Sequence, residues 1–207
     1  MDAVIYIHGK GGSAAEADRF APIFPDRFVF GLNFKTFTPW ETGKEIKGAV
    51  SDLKKKYGDV ILIANSIGAY FSMNAGIERD ISHAFFISPL TDMERLIRSM
   101  MTSAHVSEAE LEKRGVISTG TGEDLSWVYF KYATDHPVVW RVGTDILYGE
   151  NDALIPLDEI RSFAKKTGST LTVMRGGEHW FHTDEQMRFL DAWIAGKAKD
   201  IFTRGIR

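Results

Sequence analysis

The sequence predicts an α/β chain: a three-layer α/β/α sandwich around a mostly parallel sheet of about six strands, with a small helical insertion. Three observations carry this expectation. Short apolar, β-branched runs alternate with amphipathic helical stretches from end to end. The runs are apolar on both faces, as in a parallel sheet covered on both sides. The rhythm breaks only once, between Leu90 and Arg141.

The elements follow in order. Val4-Ile5-Tyr6-Ile7 is a buried-type strand that stops at His8-Gly9-Lys10-Gly11-Gly12-Ser13, where glycines let the backbone approach a neighbour closely. Ala14 to Phe20 suits a short helix, and Phe28 to Phe34 a second strand. Glu41 to Tyr57 is helical, with Ile46, Val50, Leu53 and Tyr57 on one face and lysines opposite. Asp59 to Ala64 is the next strand and Ile67 to Ile77 the next helix. His83 to Ile87 is a strand closed by Ser88-Pro89. Thr144 to Tyr148, Leu157 to Lys166 and Leu171 to Met174 read as strand, helix and strand. A closing helix begins near Thr183, whose Thr-x-x-Gln spacing forms a capping box. It buries Met187, Leu190, Trp193 and Ile194.

The interruption, about residues 90–141, reads as three helices (Asp92–Met101, Ser107–Lys113, Asp124–Ala133) with breaks at Gly115, Gly120 and Gly122. Its Met, Leu, Trp, Tyr and Phe content argues for order, and such long insertions in compact domains are usually functional. It is expected to be a helical cap on one domain spanning 1–207.

Composition narrows the function classes. With 207 residues, 44% hydrophobic and 26% charged, the chain has ordinary globular character. A net charge of −3 gives no electrostatic reason to expect nucleic acid. No apolar run reaches the roughly 18 residues of a membrane span, and the opening MDAVIYIHG, with an acid at position 2 and a very short apolar run, is not expected to be a secretory signal. The lack of cysteine excludes disulfides, thiolate catalysis and Cys-ligated metals. A cytoplasmic protein acting on a small molecule, without cofactor or metal, is the expectation.

Ligands of open parallel sheets bind beyond the carboxyl ends of the strands. There lie His8-Gly-Lys-Gly-Gly, Asn65-Ser66, Ser88, Gly149-Glu-Asn-Asp152 and Gly176-Gly-Glu-His179. Ser66 breaks the strand VILIAN at the turn into IGAYF, so it is either a helix cap or a nucleophile. A strand-to-helix elbow exposes a hydroxyl and aims the next backbone N–H, that of Ile67, at a developing oxyanion. Such a turn is tight enough for residues two before and two after the serine to crowd each other, and these are Ala64 and Gly68. Asp152 follows the strand DILYG and can orient an imidazole, with Glu150 and Asp145 as rivals. His179 sits in the glycine-rich loop before the last helix. Its competitor His182 is held against the helix start by the capping box. Lys10 offers a second backbone donor for an oxyanion hole, although a phosphate cradle is the rival reading of this loop. Neither a Gly-Lys-Ser/Thr ending nor Gly-x-Gly-x-x-Gly follows.

Together, His8-Gly9-x-Gly11-Gly12, Ala64-Asn65-Ser66-Ile67-Gly68, Gly149-x-x-Asp152 and Gly177-x-His179 resemble the α/β-hydrolase superfamily across the whole chain. Ala64 replaces the first glycine of Gly-x-Ser-x-Gly, and the antiparallel strands that open larger members are missing. The resemblance implies Ser66 as nucleophile, His179 as base, Asp152 as its orienter, and Ile67 and Lys10 as oxyanion donors. The expected reaction is hydrolysis of a small or medium carboxylic ester or thioester. A peptidase, amidase or lactonase, a non-catalytic scaffold and a flavodoxin-like binder are the alternatives. Met93, Ile97, Trp127 and Trp180 are candidate substrate-binding residues, with Lys10, Arg95 and Arg98 available to an acidic group.

Overall fold

The computed structural model describes residues 1–120 and 123–204. Gly122, one of the expected breaks, lies outside them. Six strands form one parallel sheet: β1 (Asp2–Ile7), β2 (Arg27–Leu32), β3 (Val60–Asn65), β4 (His83–Ile87), β7 (Thr144–Gly149) and β8 (Thr170–Met174). Their order is β2-β1-β3-β4-β7-β8. Every neighbouring pair is parallel, with Ile5 opposite Leu62, Ile63 opposite Phe85 and Phe86 opposite Ile146. The strand ends at Ile7, Asn65, Ile87 and Gly149 therefore share one edge.

The period-2 alternation of the strands assigns their side chains to two faces. Val4, Tyr6, Ile61, Ile63, Phe85, Ile87 and Leu147 pack with a 3-10 helix (Ala14–Ile23) and with α7 (Asp184–Arg204), which contributes Leu190, Trp193, Ile194 and Ala198. Ile5, Ile7, Leu62, Ala64 and Phe86 face the other way. On that side α1 (Pro39–Lys56) and α2 (Ile67–Met73) pack on β1 and β3. Helix α1 starts as its sequence directs: Pro39 stands at its first position after the Thr38 cap, and the Thr38 hydroxyl donates to Glu41 at 2.9 Å. It buries Ile46, Val50 and Leu53 and ends in Lys54-Lys55-Lys56, cations that suit a helix C-terminus. Helix α6 (Leu157–Thr167) leads from β7 to β8.

Two expected boundaries shift for physical reasons. Strand β2 ends at Leu32, so Phe34 leaves the ladder and stacks on the His8 ring, centroids 4.1 Å apart. Helix α2 stops at Met73, ahead of Gly76 at φ +65°.

The chain separates into two compact units: Met1–Thr91 with the segment from Trp140 onward, and Asp92–Val139. The second contains α3 (Met93–Ser103), α4 (Glu108–Arg114), β5 (Val116–Ser118), β6 (Asp124–Ser126) and α5 (Trp127–Asp135). Its first two helices lie where the pattern predicts, but the third starts at Trp127 and not Asp124, because Asp124–Ser126 is one strand of an antiparallel hairpin in the stretch read as purely helical. Ile117 and Leu125 face each other across it, both buried. Strands of three residues are too short to show an alternation. Among the described residues, no helix is long and apolar enough to cross a membrane.

Candidate active site

Ser66 stands directly after β3 with φ 50° and ψ −120°. Such a backbone is costly for a residue with a Cβ, on the order of 1–3 kcal/mol, and persists only where surrounding structure enforces it. Two backbone bonds do so: Ser66 N–H donates to Ile87 O at 2.9 Å, and Leu90 N–H donates to Ser66 O at 3.1 Å. Ser66 occupies the N-cap position of α2, yet its side chain makes no capping bond. Its Oγ lies instead 2.9 Å from His179 Nε2.

The imidazole is oriented from its other side. His179 Nδ1 lies 2.7 Å from Asp152 Oδ2, and both side chains are buried, at 4% and 0% exposure. A carboxylate only accepts, so Nδ1 carries the proton and Nε2 is left to accept from the Ser66 hydroxyl. Asp152 is fixed in turn: its Oδ1 accepts the N–H groups of Leu154 (2.8 Å) and Ile155 (2.9 Å). The buried Tyr148 hydroxyl donates to Ile155 O. Burial, with the negative charge of Asp152 nearby, pushes the Tyr148 phenol up to about 12.

Close backbone approaches bring these pieces together. A Cβ on Gly68 would stand 2.5 Å from His8 O and 2.6 Å from Ile7 O. The elbow is therefore crowded by the end of β1. A Cβ on Gly149 would stand 2.5 Å from Glu178 O and 2.6 Å from the Gly177 carbonyl. The strand carrying Asp152 and the loop carrying His179 thus touch, backbone to backbone. Asn151 N–H reinforces the contact by donating to Gly177 O at 2.7 Å. Gly149 and Gly177, each facing the other's backbone, are the sequence signal of this approach.

Ile67 opens α2, where the first N–H groups have no intrahelical partner. Lys10 lies in a turn closed by Gly12 N–H on Gly9 O at 3.2 Å, and His8 Nδ1 lies 2.7 Å from the same carbonyl. Gly9 meets the elbow directly: the position of its missing Cβ is 3.3 Å from Ser66 Cβ.

The rival residues lie elsewhere. Glu150 accepts the N–H of Gly176 at 3.0 Å. Asp145 lies in β7 on His83 (3.0 Å) and Lys197 (2.7 Å), with Thr170 also donating to it. His182 is exposed, its Nδ1 2.7 Å from Trp180 O. Gln186 Oε1 accepts its backbone N–H, and Thr183 Oγ accepts that of Gln186. The Trp180 ring stands edge-on to His179 with centroids 5.4 Å apart, and the residue is 63% exposed. Met93, Ile97 and Trp127 belong to the second unit, where Trp127 packs on Phe130 at 5.7 Å. Arg98 of that unit pairs with Glu94 and Glu108.

No family model and no curated protein matches the chain by sequence. Solved structures do match by shape. Alpha/beta hydrolase domain-containing protein 10 from mouse superposes with a TM-score of 0.76 at 15% identity, covering 96% of this chain and 90% of its own. Est1E from Butyrivibrio proteoclasticus with ferulic acid bound gives 0.76 at 18% identity, covering 98% and 90%. A thermophilic esterase from Thermogutta terrifontis, malate bound, gives 0.64 at 14% identity, covering 96% and 90%.

Proposed function

From the α/β-hydrolase fold of this chain, we propose that it is a serine hydrolase cleaving small or medium carboxylic esters or thioesters through an acyl-enzyme on Ser66, His179 and Asp152. One observation carries the reading: the Ser66 hydroxyl leaves the helix-cap role open to it and turns to His179 at 2.9 Å, while Asp152 holds the far side of the ring at 2.7 Å. The name of one structural neighbour, the thermophilic esterase from Thermogutta terrifontis, favours an ester over an amide.

The chemistry follows from the tautomer. Ser66 Oγ attacks the carbonyl carbon as its proton passes to His179 Nε2, and the imidazolium is stabilised by Asp152. The negative oxygen of the tetrahedral intermediate is met by the N–H groups of Ile67 and Lys10. Collapse breaks the bond to the alcohol or thiol, which leaves with the proton from Nε2. Water, deprotonated by the same nitrogen, then attacks the acyl-Ser66 ester and releases the acid and the free hydroxyl.

A panel of p-nitrophenyl esters, acyl thioesters and p-nitroanilides, run with wild type and Ser66→Ala, tests the reading. Ester or thioester turnover lost in Ser66→Ala supports it. Turnover of anilides alone, or ester turnover that survives in Ser66→Ala, overturns it.

A further inference from the structure

A cavity of about 340 Å³ lies on the face of the sheet covered by the 3-10 helix and α7. Its apolar lining includes Phe20, Ile87, Phe181, Met187 and Leu190, with Ala15 exposed at its edge. Neither Ser66 nor His179 lines it, but the residue before the first and the residue after the second do: Asn65 and Trp180. Gly9 lines it too, and the point where a Cβ would stand on Gly9 is 3.0 Å from Asn65 Oδ1 and 3.3 Å from Ser66 Cβ. The cavity is thus lined by the chain neighbours of both the serine and the histidine.

Its wall is held in place by polar bonds. The Arg19 guanidinium spans to α7 with two bonds to Asp191, 2.6 and 2.8 Å. The Tyr6 hydroxyl donates to Glu16 at 2.5 Å, and Ser13 N–H donates to the other Glu16 oxygen at 2.9 Å. The Tyr6 phenol is pushed far up by burial and by Glu16, so it stays a protonated donor. Of the three charged residues in the lining, Glu16 and Arg19 are therefore engaged with the protein itself and Lys10 comes from the glycine-rich loop, while Phe20, Ile87, Phe181, Met187 and Leu190 offer aromatic and aliphatic carbon.

We infer that this cavity receives the apolar part of the ester, a medium-length alkyl or aryl-alkyl group, and sets the chain length the site accepts. The inference rests on the serine-hydrolase reading above. A sealed apolar cavity of about 150 Å³ is enough for one benzene ring. The volume here is about twice that, at the small end of the range for ligand sites. It fits a phenylpropanoyl or octanoyl group and rejects a long fatty chain. Burying each further methylene contributes roughly a fourfold gain in kcat/KM until the space is full.

Two substrate series distinguish the acyl from the alcohol side: p-nitrophenyl esters from acetate to dodecanoate with 3-phenylpropanoate, and acetate esters of ethanol to octanol. In one of the two, kcat/KM climbs roughly fourfold per methylene and then falls. Met187→Trp at the floor and Ala15→Phe at the edge each lower the long-to-short ratio of kcat/KM in that series at least tenfold, and Met187→Ala moves the optimum to longer chains. Circular dichroism confirms that each variant is folded, and Ala15→Phe, on an exposed position, guards against a variant lost to misfolding. A flat profile in both series, or ratios untouched by Ala15→Phe and Met187→Trp, overturns the inference. If wild type still reacts with a fluorophosphonate in that case, the Ser66 reading stands without it. If wild type fails to react at all, both fall.

Discussion

Asp152 Oδ2 lies 2.7 Å from His179 Nδ1 while the other oxygen of the carboxylate is held by two backbone N–H groups. In Asp152→Asn, the remaining carbonyl oxygen keeps the bonds to Leu154 and Ile155, and an amide N–H now points at Nδ1. The ring proton must move to Nε2, where it opposes the Ser66 hydroxyl. We expect kcat for an ester to fall about 10⁴-fold with little change in melting temperature. Steady-state kinetics beside a thermal melt reads both.

The two loop histidines separate cleanly. His179 is buried between Ser66 and Asp152, whereas the His182 side chain is exposed and its helix-capping contact is made by the backbone. His179→Ala should cost at least roughly 10³-fold in kcat. His182→Ala should retain more than half of the activity. Ester turnover by the two purified variants decides the point.

Gly149 is placed where a Cβ collides with the His179 loop, and Gly48 in α1 where a Cβ meets nothing within 4 Å. Gly149→Ala is expected to cost roughly 2–3 kcal/mol, lowering the melting temperature by about 4–10 °C. It should also lower kcat, because the two strand ends that carry Asp152 and His179 are pushed apart. Gly48→Ala should stabilise by about 0.5–1 kcal/mol. Differential scanning calorimetry of the pair checks both signs.

Asp145 gives a pH signature. Burial would raise its pKa, but bonds from His83, Lys197 and Thr170 outweigh burial and hold the carboxylate well below its ordinary value. A group depressed on folding contributes stability above its unfolded pKa, near 3.9, and loses it as the pH falls through the folded value. Asp145→Asn should therefore be less stable than wild type by roughly 2 kcal/mol at pH 7, leaving a half-buried Lys197 unpaired. The gap should narrow steadily below pH 4. Chemical denaturation at a series of pH values follows it.

Ser66, Asp152 and His179 could be singled out as candidates because each lies just past its own strand, and strand ends converge in a parallel sheet whatever the crossovers between them. The orientation of Ser66 was not legible, since a cap and a nucleophile share the same local sequence. The close approach of Ile7 and His8 to Gly68, from about 60 positions away, is encoded by no pentapeptide. The hairpin at Ile117 and Leu125 was hidden by its shortness. The cavity could not be read at all. Phe20, Ile87 and Met187 belong to three separate elements, and only the docking of the 3-10 helix and α7 on the sheet leaves space among them.

Whether Ser66 is a nucleophile activated by His179 is decided by exposure to a fluorophosphonate followed by peptide mass spectrometry. We expect a single adduct on Ser66 in wild type, none in Ser66→Ala, and at least a hundredfold slower labelling in His179→Ala. An adduct on another residue, equal labelling of Ser66→Ala, or no labelling of folded wild type would contradict this role.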